Sequence, residues 1–125
     1  CVVMSVGAAG AINRLFKAIL NEGDNLVVPS PFFTEYRNYA KNFNAQLIEV
    51  PTKADFSLDV EAISAALNEK TAAVLINSPN NPTGRIYSKD EIKYFTEKLD
   101  SINIKYYASD VSVTLKNHKR IGIII

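Results

Sequence analysis

The stretch Ala72-Ala73-Val74-Leu75-Ile76-Asn77, followed at once by Ser78-Pro79-Asn80-Asn81-Pro82-Thr83-Gly84 and then by Ser88 to Leu99, decides how this chain folds. Its first part is a short apolar run closed by turn residues, the pattern of a strand covered on both faces. Its last part carries a helix start. Ser88 with Glu91 three residues on is a capping box, and Ile92, Phe95 and Leu99 form one apolar stripe behind it. A buried strand, a rigid loop and an amphipathic helix in that order are half of a βαβ unit.

The same alternation continues outward. Towards the amino terminus lie a helix over Leu58–Leu67 with Asp59 as its N-cap and a strand over Ala45–Val50. Before them come a helix over Phe33–Asn42, with Tyr36, Tyr39, Ala40 and Phe43 on one side, and a short buried strand Leu26–Val28 closed by Pro29 and Pro31. Ile12, Leu15, Phe16 and Ile19 fall at helical spacing and Gly23-Asp24 stops that helix, while the apolar run Val2–Val6 reads as a strand ending at Gly7. Towards the carboxyl terminus Ile104–Ala108 reads as a fourth strand. Beyond it Val111, Val113 and Leu115 alternate as a strand would, Asn117-His118-Lys119 form a turn, and Ile121–Ile125 pair back. Strands alternating with helices imply an α/β fold, a mainly parallel sheet with helices on both faces and right-handed crossovers.

Composition narrows the function. The 125 residues are 47% hydrophobic and 22% charged, enough for one sizeable core. Fourteen Lys and Arg against thirteen Asp and Glu leave a net charge of +1, so nothing supports binding to nucleic acid or to an anionic membrane. One Cys and one His, His118, exclude a disulfide framework and a Cys/His metal site. The apolar runs fall far short of the roughly 20 residues that span a bilayer, and no targeting signal is visible, so a cytoplasmic setting is the default expectation. The chain opens on Cys1 within an apolar run and closes on Ile121–Ile125, which suggests a domain cut from something longer.

In parallel sheets ligands bind beyond the carboxyl ends of the strands. That rule selects Gly7–Ala9, Ser78–Gly84 and Ser109–Asp110. Gly7-Ala8-Ala9-Gly10-Ala11 opens a helix, where small side chains expose backbone N–H groups to an anion; a tight strand–helix turn explains it equally simply. The stretch Ser78–Gly84 is more specific. Its two prolines stiffen a loop of seven residues, longer than the turn residues alone require, so an Asn amide can be held in one orientation. Asp110 at a strand end suits a cationic ring nitrogen or a plain turn. Phe33 suits a flat ring or the core, Tyr36 and Tyr39 suit the core, and Arg37 and Arg85 suit a carboxylate or solvent.

Together these segments resemble the class I/II aminotransferases, fold type I enzymes that use pyridoxal 5′-phosphate (PLP). Ser78–Gly84 resembles their central asparagine motif, Val6–Asn13 their phosphate-binding turn, and Asn21–Asp24 with Val27, Val28 and Pro31–Tyr36 the segment of the ring-stacking aromatic. Tyr107–Asp110 resembles the strand that delivers an aspartate. The resemblance covers about residues 2–110 and implies a partial PLP-binding large domain over 1–110, with 111–125 as a divergent or truncated tail. It further implies that backbone N–H groups of Ala8 and Ala9 hold the phosphate, that Phe33 stacks on the ring, that Asn81 bonds the ring 3-hydroxyl and that Asp110 keeps the ring nitrogen protonated. Amino acid and 2-oxo acid substrates and a homodimer in the intact enzyme are implied too.

The chain also departs from the family. Val113 stands where the family has a tyrosine, and the Schiff-base lysine has no counterpart; Lys116 and Lys119 come too soon after Asp110. No catalytic residue is therefore expected within the chain, and the isolated 125 residues are expected to be inactive. A non-catalytic remnant and a PLP-dependent amino-acid lyase are the alternatives. Incubation with PLP followed by borohydride reduction should leave no lysine of this chain labelled stoichiometrically; a single fully labelled lysine in the peptide map overturns that expectation.

Overall fold

The computed structural model describes residues 4–101 and 121–124. In chain order its elements are α1 (Gly7–Ile19), β1 (Asn25–Ser30), α2 (Glu35–Lys41), β2 (Gln46–Pro51), α3 (Val60–Ala66), β3 (Thr71–Ile76), α4 (Lys89–Ser101) and β4 (Ile121–Ile124). The strands form one sheet in the order β2-β1-β3-β4, and every pair in it is parallel. The α/β fold with a parallel sheet is thus as the alternation implies.

Side chains alternate across β1 and β3 and fill two separate cores. Leu26, Val28, Ala73 and Leu75 face α1 and α2 and meet Ile12, Phe16, Tyr36 and Ala40. Val27, Val74 and Ile76 face the other way, against Val60 and Ile63 of α3 and Phe95 and Leu99 of α4. Every residue of β3 is buried, which explains why its sequence is an apolar run with no alternation.

Helix starts follow local chemistry. The Asp59 carboxylate accepts the Ala62 N–H at 3.0 Å, capping α3 as its sequence predicts. At α4 the capping box is complete: the Ser88 N–H donates to Glu91 Oε2 at 2.8 Å and the Glu91 N–H to Ser88 Oγ at 3.1 Å. Lys98 of α4 reaches across to Glu61 of α3 at 2.9 Å, and the Tyr94 hydroxyl donates to the same carboxylate.

Three expectations need correction. Met4–Val6 are not a strand: they lie outside the sheet, with Met4 and Val6 exposed and the Arg14 guanidinium donating to the Met4 carbonyl. An apolar run becomes a strand only where a neighbour supplies a hydrogen-bond ladder, and Met4–Val6 have none. The second helix starts at Glu35, so Phe33 stands in the loop before it. The strand read as Leu26–Val28 runs on through Pro29 to Ser30. That is possible because the Ser30 carbonyl faces β2 and accepts the Thr52 N–H, which turns Pro29 towards the β3 side, where the ladder already ends at Val27. Among the described residues Ile121–Ile124 also join the sheet, paired in parallel with Ala73–Ile76. Residues 104–108 and 111–115 lie outside the described residues.

Phe95 is 1% exposed at the centre of the α3/α4 core, so Phe95→Ala should cost about 3–5 kcal/mol of stability. Asp59→Ala, which removes one cap, should cost about 1 kcal/mol. Denaturant titration of both variants checks the ranking, and equal losses would contradict it.

Candidate functional site

The crossovers create a crevice. From β1 the chain passes by α2 to β2; it then returns by α3 past β1 to β3 and continues by α4 to β4. A reversal of direction with the same hand of crossover forces the helices onto opposite faces, as the two cores show. The loop after β1 therefore turns to one face and the loop after β3 to the other, leaving an opening between them at the carboxyl edge. The helix α1 runs back into β1 through a short connection, so its amino terminus lies at this edge as well.

Three sequence-predicted groups are at this edge. Ala8 and Ala9 are exposed in the first turn of α1. Val6, the N-cap, offers no side-chain hydrogen bond, and no acidic side chain occupies that turn. Gly7 has φ +63° where extended backbone enters the helix, a conformation that suits glycine. At Gly10 a Cβ would lie 2.7 Å from Ser5 Oγ, a contact that rotation of the exposed Ser5 side chain would relieve.

Phe33 is half-buried in the loop after β1, its ring edge-on to Tyr36 with centroids 5.7 Å apart. The Tyr36 N–H donates to the Phe33 carbonyl at 3.0 Å. Burial pushes the Tyr36 hydroxyl above its ordinary pKa, aided by the neighbouring Tyr39. Nearby Arg37 does not wait for a ligand: it pairs with Glu49 and lies over the Phe32 ring.

The loop Ser78–Gly84 is braced from within. Ser78 Oγ accepts the Tyr87 N–H at 3.2 Å, and Thr83 Oγ1 accepts the Arg85 N–H at 3.2 Å. The buried Asn80 donates from Nδ2 to Thr83 Oγ1 at 2.9 Å and to the Pro31 carbonyl at 3.0 Å. Its own backbone bonds Arg85 and Gly84. Asn81 differs. Asn77 Oδ1 accepts its backbone N–H at 2.9 Å, while its side chain is exposed and its amide bonds nothing among the described residues. The family resemblance singled out Asn81 and gave Asn80 no role; the Asn80 amide bonds the β1 loop, forty-nine residues away in the chain, which no local pattern encodes. Asp110 lies outside the described residues.

A profile of the family described as "Aminotransferase class I and II" matches residues 1–106. The chain belongs to this family. It is 40% identical over 98 residues to the probable aspartate/prephenate aminotransferase of Aquifex aeolicus, covering 77% of this chain and 25% of that protein. It is 36% identical to the histidinol-phosphate aminotransferase of Chlorobium chlorochromatii, over 82% of this chain and 28% of the relative. Among solved structures, an aminotransferase from Eubacterium rectale superposes with a TM-score of 0.74 at 34% identity, over 78% of this chain and 25% of that one. A Thermus thermophilus aspartate aminotransferase variant gives 0.72 at 32% identity, over 79% and 26%. The chain spans about a quarter of the length of these relatives. No helix among the described residues is long and apolar enough to cross a membrane.

A cleft of about 300 Å³ opens elsewhere, between α3 and α4; it is lined in part by Arg85 but by none of Ala8, Ala9, Phe33 and Asn81. Its carboxylates are already engaged: Asp55 by Ser57, Asp59 by Ala62, Glu61 by Lys98, and Glu91 by Ser88 and Arg85. The Ser88 N–H and the Arg85 guanidinium hold the Glu91 carboxyl below its usual pKa, and the Lys98 ammonium does the same for Glu61. A depressed carboxylate contributes stability above its unfolded pKa of about 4.3 and loses it as pH falls through the lower folded value. The melting temperature should therefore drop as pH is taken from about 5 towards 3. Glu91→Gln should be less stable at pH 6 and show a shallower drop; an unchanged slope would remove Glu91 from this account.

Proposed function

We propose that this chain is the cofactor-binding part of the large domain of a PLP-dependent aminotransferase, with residues 1–110 forming that part and 111–125 a divergent tail. The observation that carries the reading is the division of labour in Ser78–Gly84. The side chains of Ser78, Asn80 and Thr83 are spent inside the protein, and the Asn81 amide alone is presented outward at the crevice. The open first turn of α1 fits a phosphate for the same reason, since its N–H groups have no capping side chain.

In this reading the Ala8 and Ala9 N–H groups bind the PLP phosphate and the Phe33 ring lies against the pyridine, shielding it from water. The Asn81 amide donates to the oxygen of the ring 3-hydroxyl, and Asp110 holds a proton on the ring nitrogen. When bound, PLP supplies an electron sink that eases loss of a proton from a substrate α-carbon. The residues of this chain bind and orient the cofactor; the activated lysine that covalent catalysis needs is not among those predicted here. The relatives named above are aminotransferases, which favours transfer between an amino acid and a 2-oxo acid over the lyase alternative. A homodimer and a cytoplasmic setting complete the reading.

Loss of one hydrogen bond is worth about 0.5–1.5 kcal/mol, so Asn81→Ala should weaken PLP binding by about 2- to 10-fold. Because the Asn81 side chain is exposed, its melting temperature should stay unchanged. Titration of the chain with PLP, followed by absorbance, measures the affinity. An unchanged value overturns the assigned contact.

A further inference from the structure

Asn80 is the one buried polar side chain in the motif, and it spans the crevice. A single Nδ2 group donates to the Pro31 carbonyl, in the loop after β1, and to Thr83 Oγ1, in the loop after β3. Pro31 is two residues from Phe33, whose carbonyl is pinned by the Tyr36 N–H; Asn80 adjoins Asn81, whose N–H is pinned by Asn77. The two loops leave the sheet towards opposite faces, into separate cores, through Phe32 on one side and Tyr87 on the other. Side-chain packing on either face thus sets each loop independently. The Asn80–Pro31 bond is a direct tie across them.

We infer that Asn80 is a positioning residue: its amide fixes the spacing between the Phe33 ring and the Asn81 amide, and so sets the width of the slot into which a flat pyridine ring with an adjacent hydroxyl fits. This rests on the reading that Asn81 and Phe33 contact PLP. Without the tie, each loop keeps its own internal bonds, but the two contacts lose their common register. Asn80 would then act on PLP only through Asn81 and Phe33.

A double-mutant cycle on the 125-residue chain tests this, with PLP affinity and melting temperature as separate readouts. Asn80→Ala should weaken PLP binding by about 3- to 10-fold in the native background. In the Asn81→Ala background the same change should cost less than about twofold, because the contact it positions is already gone. Its cost in melting temperature should be the same in both backgrounds. The absorbance titration of the bound ring hydroxyl should move, in Asn80→Ala, towards the value found for Asn81→Ala. An equal loss of affinity in both backgrounds overturns the positioning role while leaving the Asn81 contact intact. No effect of Asn81→Ala itself marks failure of the underlying reading instead. If Asn80→Ala does not fold, Asn80→Asp, which keeps the size and removes both donors, takes its place in the same cycle.

Discussion

The hand of the βαβ crossover is the constraint from which the remaining architecture follows. A right-twisted parallel sheet accepts crossovers of one hand, so the chain cannot step from β1 to β2 and then back past β1 to β3 without changing faces. Changing faces separates α1 and α2 from α3 and α4, gives the small sheet two cores, and parts the loops that follow β1 and β3. The crevice is a by-product of that parting. No residue has to be spent on making it, and the polar chemistry of Ser78–Gly84 is free to furnish it.

How much of this was legible beforehand depended on range. Signals acting over three or four residues came through intact: the Asp59 cap, the Ser88/Glu91 box and the Phe95/Leu99 stripe stand in the structure as their spacing predicts. Signals that depend on a partner did not. Val2–Val6 and Leu26–Val28 are similar apolar runs, yet Met4–Val6 lie exposed outside the sheet while Leu26–Val28 are central in it, because pairing is a property of two segments. Ile121–Ile124 likewise owe their place to a partner, the free backbone edge of β3. In the site the motif marked the loop Ser78–Gly84, whereas nothing local in the sequence gave Asn80, Lys98 or Arg37 its particular partner. Their roles come from Pro31, Glu61 and Glu49, all distant in the chain.

The two ends of the sheet are finished differently. At the amino edge Asn25, Asn68, Lys70 and Thr71 bond one another, with the Asn25 N–H on the Lys70 carbonyl at 2.8 Å and the Asn68 N–H on Thr71 Oγ1 at 3.0 Å. Most polar groups there tie strands together, the buried Asn25 Oδ1 being an exception. At the carboxyl edge the same residue types are sorted, with some bonded inward and others left facing out. A scaffold that ties one end and opens the other concentrates its binding capacity without giving up order elsewhere.

Pro29 sets where the central ladder stops. The β1–β3 ladder runs only to Val27, while β1 stays paired with β2 to Ser30 and β3 continues to Ile76 against β4. Val28 and Leu75 beyond that point are still buried, so the two central strands are held there by side-chain packing after their backbone bonds have ended. An imino acid inside a buried strand, ordinarily a defect in a ladder, here lets β1 keep one neighbour while giving up its bonds to the other.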